Sequence, residues 1–235
     1  MLKQHTLQEI ENDVNNYWHS NMDGLIDRLE GKEQGHKVAD YVDDKTSAHI
    51  YADYNAAFER NKNGEKKSRS MGDIWIKDNE IFHPVNIKSS VTGSNGQPNM
   101  VSMHKLVNNI IAHRIDSYYL LIVKLDQMKG KWETSIHFLD MLNMLDYITF
   151  DAGPGQIMLK ATSFYNDLDV IKKRKNNDTT HQKVKKLYKI MLDGEERLVI
   201  NRKRRLSVAK KNISAFLSES DFILDPANQA TFYLE

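Results

Sequence analysis

The chain has 235 residues, 40% of them hydrophobic and 28% charged, which suits a folded protein with a sizeable core and excludes a disordered or fibrous one. It contains no cysteine, so disulfides, thiolate metal sites and cysteine nucleophiles are excluded, and a reducing cytoplasm is the expected setting. The formal charge of +1 conceals a split: residues 171–212 hold 15 Lys or Arg against 4 Asp or Glu, a local charge of +11, which leaves −10 on the rest and points to a polyanionic partner for the basic segment.

The opening stretch MLKQHTLQEIENDV is amphipathic and acidic and lacks the apolar run of a signal peptide. No run approaches the roughly 20 apolar residues of a membrane span, so no membrane association is expected. Residues 6–30 place Leu7, Ile10, Val14, Tyr17 and Trp18 at helical spacings, with Thr6 as N-cap and Glu9 three residues on; a second short helix is expected over residues 21–29. Residues 31–46, rich in charge and glycine, read as a loop. Residues 47–60 (SAHIYADYNAAFER) read as a helix with Ile50, Tyr54 and Phe58 on one stripe and Glu59 near its end. The next ten residues, NKNGEKKSRS, have no apolar member and read as a solvated connector.

Residues 71–90 (MGDIWIKDNEIFHPVNIKSS) predict two short strands joined at Asp78-Asn79, with Pro84 implying an edge position or a bulge. A polar loop, VTGSNGQPN, leads to a helix from Ser102 to Ile115. Residues 117–125 (SYYLLIVKL) are apolar almost throughout, as a central buried strand would be. A strand at 132–138, a short helix at 139–147, a turn at GPG and a last strand at QIMLKA follow. Beyond Phe164 the chain is basic and helical, with Gly194 expected to break one helix from the next. The order helix, strand, strand, helix, strand describes an α/β unit around a mixed sheet. The expected organisation is an N-terminal helical region (1–46), a core (47–165) and a basic helical C-terminal region (166–235).

The chemistry concentrates in the predicted hairpin. Asp73 opens its first strand, and Lys88 closes the second, two residues after Asn86. Side chains at 86 and 88 share one face of a strand. A carboxylate on one strand and an X-X-Lys triplet on the next suit metal-dependent phosphodiester hydrolysis. Asp73 would give Mg²⁺ one oxygen, the Ile87 carbonyl a second and the Asn86 amide a third without charge. Lys88 would orient the attacking water and stabilise developing negative charge. A further carboxylate is expected from elsewhere, with Glu59 the candidate and Glu80, beside the turn, ranked lower. No HExxH, GK[ST] or G-x-S-x-G pattern offers another chemistry.

GDI (72–74), NIKSS (86–90), the polar loop and the helix after it resemble the PD-(D/E)XK nuclease superfamily, and within it type II restriction endonucleases, over roughly residues 47–162. The resemblance implies a restriction-endonuclease-like mixed central sheet flanked by helices. It casts Asp73 as the metal-binding acid, Asn86 as the occupant of the variable acidic position, Lys88 as the catalytic lysine and Glu59 as the helix glutamate. It further implies a Mg²⁺-dependent, site-specific endodeoxyribonuclease that acts on double-stranded DNA as a homodimer. Ser90, Thr92, Asn95, Gln97, Asn99, Ser102, His104 and Lys105 would then lie beside the scissile phosphate. Lys172, Lys173, Arg174, Arg202, Arg204 and Arg205 would clamp the backbone. Two other readings stay open: a structure-selective repair nuclease or junction resolvase, and a non-catalytic DNA-binding protein on a decayed nuclease fold.

Overall fold

The computed structural model describes residues 2–31, 35–67, 70–91, 99–128, 131–174 and 178–218. Three helices come first: α1 Gln4–Ser20, α2 Asp23–Glu30 and α3 Gly35–Asp53. Strands β1 Ala56–Ala57, β2 Ile74–Asp78, β3 Ile81–Val91 and β4 Asn99–Ser102 lead to helix α4 Met103–Ile111. Then come β5 Tyr119–Met128, β6 Lys131–Asp140, two single 3₁₀ turns, β7 Ile148–Asp151 and β8 Gln156–Leu159. Helices α5 Ala161–Asn166, α6 Leu168–Lys173 and α7 Thr180–Leu217 complete the described chain. The protein is mixed α/β. Its main sheet has the order β1-β2-β3-β5-β6, with β3 and β5 parallel and the other pairs antiparallel; a smaller sheet has the order β4-β8-β7.

The apolar run at 119–125 becomes the centre of the main sheet, and its alternation divides the core in two. Leu120 and Ile122 pack with Leu106 and Ile110 of α4 and with Ile148 and Leu159 of the smaller sheet. Tyr119, Leu121 and Val123 face the other way, onto Ile10, Val14 and Trp18 of α1 and Val42 and Ile50 of α3. Residues 85 and 87 of β3 bury toward α1 and α3 in the same cluster. α1 therefore buries the stripe that its spacing predicts.

The stretch 31–46, expected as a loop, holds most of a helix. In α3 the side chains of Val38, Val42, Thr46 and Ile50 recur every fourth residue, and all four are buried. Thr46 accepts a hydrogen bond from Trp18 Nε1 at 3.0 Å, so a polar residue completes the apolar face. α3 ends at Asp53, not Arg60, and the chain straightens into β1, which pairs Ala56 with Ile76 and Ala57 with Trp75. β1 thus lies within the stretch expected as helix, just before the connector NKNGEKKSRS.

Pro84 sits inside β3 and opposite Trp75, on an interior strand. Pairing with β5 begins only at Val85, so the missing Pro84 N–H interrupts neither ladder. The hairpin turn is Asn79-Glu80, both at positive φ (45° and 67°), the left-handed pair that a two-residue hairpin loop uses. The helix expected from Ser102 to Ile115 is shorter: Ser102 ends β4, α4 stops at Ile111, and His113 takes a left-handed φ of 54°. The helix expected at 139–147 is a pair of 3₁₀ turns, the first capped by Asp140 Oδ1 accepting from Leu142 N.

The chain forms two compact units, one running to Gly194 and one from Glu195. The N-terminal helices and α5 and α6 belong to the first. Gly194 does not break a helix; α7 is helical on both sides of it. A methyl group at 194 would lie 2.7 Å from both Cδ1 and the carbonyl oxygen of Phe150, so glycine is there for close approach. Gly194→Ala is expected to destabilise the first unit by about 1–3 kcal/mol, as overpacking does, read as a lower urea midpoint. An unchanged midpoint would show that Phe150 can give way. Among the described residues, no helix is long and apolar enough to cross a membrane.

Candidate active site

Asp73 is set in place by backbone contact before any side chain acts. Its N–H donates to the carbonyl of Val85, the residue that pairs with Ile74, at 2.8 Å, so it is anchored at the end of the β2–β3 ladder. Gly72 permits this: a methyl there would lie 2.8 Å from the Ile74 carbonyl oxygen and Val85 nitrogen and 2.9 Å from the Val85 oxygen. Past this point the two strands part, and the Asp73 carboxylate takes over, with Oδ2 accepting from Ile87 N at 2.7 Å. A strand residue sends its N–H and C=O to the same side, so the Ile87 carbonyl faces the edge where Asp73 stands.

Lys88 follows on β3. Its Nζ lies 3.8 Å from Asp73 Oδ2 and 3.6 Å from Asp43 Oδ2, a cation shared by two carboxylates and held tightly by neither. Asp43 comes from α3. Burial, assisted by the nearby Asp73 and Asp40 and opposed by Lys88, pushes its carboxyl up from near 3.8 to about 7. Its Oδ1 is buried without a hydrogen-bond partner.

Asn86 is 6% exposed. Its side chain hydrogen-bonds the fully buried Tyr118 hydroxyl, which donates in turn to the Met71 carbonyl at 2.9 Å. Only the amide nitrogen can donate to that oxygen, so the orientation of Asn86 is fixed and its Oδ1 is left over. That Oδ1 is likewise buried without a partner. Asp43 and Asp73 both lie against Lys88, and each offers carboxylate oxygens of the kind a hard divalent cation takes, while Asn86, next to Ile87 and Lys88 on β3, carries a further buried oxygen without a partner. Tyr118 ties Asn86 to the residue two before Asp73, so one buried hydroxyl steadies both strands of the site.

Glu59 does not occupy the place expected of it. α3 has already ended, and Glu59 stands in the loop after β1. Its carboxylate accepts from Lys67 Nζ at 2.5 Å, Ser70 Oγ at 2.7 Å and Met71 N at 3.4 Å. Burial works against its ionisation, but these hydrogen bonds outweigh it and hold its carboxyl below the ordinary range. Glu59 thus braces the approach to Asp73, and among the described residues the acids within ion-pair reach of Lys88 are Asp73 and Asp43. Asp43 stands in the part of α3 that the sequence pattern reads as a loop, so no local signal points to it. Glu80 is tied at the hairpin turn to Lys77, at 2.7 Å.

Of the expected DNA contacts, Ser90 lies half-buried near the end of β3, Asn99 and His104 are exposed, and Ser102 and Lys105 are half-buried. Burial lowers the Lys105 ammonium, with Glu59 opposing. Thr92, Asn95 and Gln97 lie outside the described residues. Lys172 is committed to Glu11 at 2.5 Å and Arg174 to Asp146 at 2.8 Å, so these two cations are partly neutralised within the fold. Lys173 is exposed, as are Arg202, Arg204 and Arg205 in the second unit.

A second group of ligating side chains, Asp13, His49 and Asp53, gathers between α1 and α3. His49 Nε2 lies 2.8 Å from Asp13 and Nδ1 2.9 Å from Asp53, while its ring stacks on Tyr17 at 4.4 Å. One nitrogen contacts Asp53 on its own helix and the other Asp13 on α1, so the imidazole links the two helices. This link fixes α3, and with it Asp43.

No protein-family model matches the chain, and no curated protein matches it.

Proposed function

We propose that the protein is a Mg²⁺-dependent phosphodiesterase, and specifically a site-specific endodeoxyribonuclease of the type II restriction class with a restriction-endonuclease-like core. The observation that carries this reading is Lys88 Nζ held between Asp43 and Asp73; among the described residues, Asp43 Oδ1 and Asn86 Oδ1 are also buried without a hydrogen-bond partner. Asp73, Asp43, Asn86 Oδ1 and the Ile87 carbonyl would hold Mg²⁺, which would neutralise phosphate charge and favour ionisation of water. Asp73 keeps its orientation through Ile87 N. Lys88 places a positive charge where an attacking water and a phosphate oxygen would meet, and its loose pairing leaves that charge available. The mixed sheet, with the acid and the lysine on adjacent strands, supports the fold resemblance.

The proposed substrate is double-stranded DNA, read by a homodimer in the cytoplasm. The basic segment supports a polyanionic substrate, and its exposed Lys173, Arg202, Arg204 and Arg205 are the cations we assign to phosphates. Incubation with supercoiled plasmid and Mg²⁺ tests the reading. Discrete linear fragments are expected. Cleavage confined to branched or junction substrates would replace it with a structure-selective nuclease, and retention without cleavage in any divalent ion would replace it with a DNA-binding protein on a decayed nuclease fold.

A further inference from the structure

Two adjoining cavities, of about 490 and 450 Å³, open along the β2–β3 hairpin, and Trp75, Phe82 and Arg114 line both. These are volumes typical of small-molecule sites. Trp75 stands two residues along β2 from Asp73, so the groove begins beside the candidate centre. Trp75 and Phe82 are diagonal neighbours on one face of the hairpin, since their strand partners are Pro84 and Lys77. Phe58, stacked on Tyr51 at 5.0 Å, lines the second cavity together with Asn109.

The groove is built rather than incidental. Trp75 Nε1 donates to Ser70 Oγ at 3.3 Å, and Ser70 donates to Glu59, so the indole is held in place. Phe82 is 42% exposed and Ile81 52%, a costly display of apolar surface at a hairpin tip. Glu80 and His113, two non-glycine residues at positive φ, both line the first cavity, and such strain persists where surrounding structure holds it. Arg114 is exposed, and its guanidinium makes no ion pair among the described residues.

Aromatic faces beside an exposed guanidinium suit a planar base on an anionic backbone. An apolar peptide side chain would use the rings and leave Arg114 idle. We propose that this groove holds a nucleobase displaced from its pair in the nucleic-acid substrate, stacked between Trp75 and Phe82, with Arg114 on its phosphate. The placement next to the scissile phosphate rests on the phosphodiesterase reading; the base site itself does not.

The test uses the full chain without divalent ion, so that cleavage plays no part. A single-stranded dT oligonucleotide of about 12 nucleotides is titrated while tryptophan emission is followed. Quenching is expected. It should disappear in Trp75→Phe, while Phe82→Ala and Arg114→Ala should each weaken binding roughly tenfold. Phe82 and Arg114 are exposed, so their loss should leave the fold intact, which thermal melting checks. Unchanged emission, quenching that survives in Trp75→Phe, or wild-type affinity in both other variants would overturn the base site. Quenching without any plasmid cleavage would keep the base site and remove the nuclease reading; cleavage without quenching would do the reverse.

Discussion

Lys88→Ala is expected to lower plasmid cleavage by about 10²- to 10³-fold or more while DNA binding changes little. The loss follows from removing the cation that lies between Asp43 and Asp73, where on the proposed reading negative charge would develop. Binding should persist because the exposed basic side chains of α7 lie elsewhere in sequence and carry the electrostatic attraction. The same substitution leaves Asp43 and Asp73 without the charge between them, so Asp43 should be pushed up further, since Lys88 is what now opposes that rise. Two readouts therefore move together: cleavage falls, and the pH at which Asp43 ionises climbs. Lys88→Met, which keeps the stem but not the charge, separates packing from electrostatics. Full cleavage by either variant would end the assignment of Lys88, and loss of DNA binding in step with cleavage would make it a structural residue.

The parts of this site that local pattern encodes were the legible ones. Asp73 and Lys88 lie on consecutive strands joined by a two-residue turn, and strand alternation alone sets 86 and 88 on one face. The buried run at 119–125 announces a central strand because both of its faces are covered. What was not legible depends on distant partners. The inward face of α3 includes Thr46 and Ser47, buried at 0% and 2% exposure, so its composition resembles a loop although its spacing is helical. Missing that helix hid Asp43. The period that suggested a helix through Ala56, Ala57 and Glu59 gives way to strand pairing with Trp75 and Ile76, about twenty residues on, and a two-residue strand has too little sequence to declare itself. Gly194 carries the same lesson: a helix-breaking residue by propensity is, in place, the only one small enough to pass Phe150.

Asp43→Asn should separate a metal-binding carboxylate from a merely buried one. With its carboxyl raised to about 7, Asp43 in the metal-free protein stays protonated where the unfolded chain, near 3.8, has already ionised. Between these values the native state holds the extra proton, so stability falls as pH rises from about 4 to 7 and is level outside that window. The drop is on the order of 4 kcal/mol, its side chain being mostly buried, and should appear as a melting temperature lower at pH 8 than at pH 5. Mg²⁺ or Ca²⁺ binds the ionised form, so millimolar cation should recover the loss at pH 8 and do little at pH 5. Asp43→Asn has no charge to bury. It should be more stable than the parent at pH 8 without cation, respond weakly to cation, and lose cleavage. A parent protein whose melting temperature ignores divalent ions at pH 8, or an Asp43→Asn variant that cleaves normally, would remove Asp43 from the metal site and leave it as a buried acid held down by Lys88.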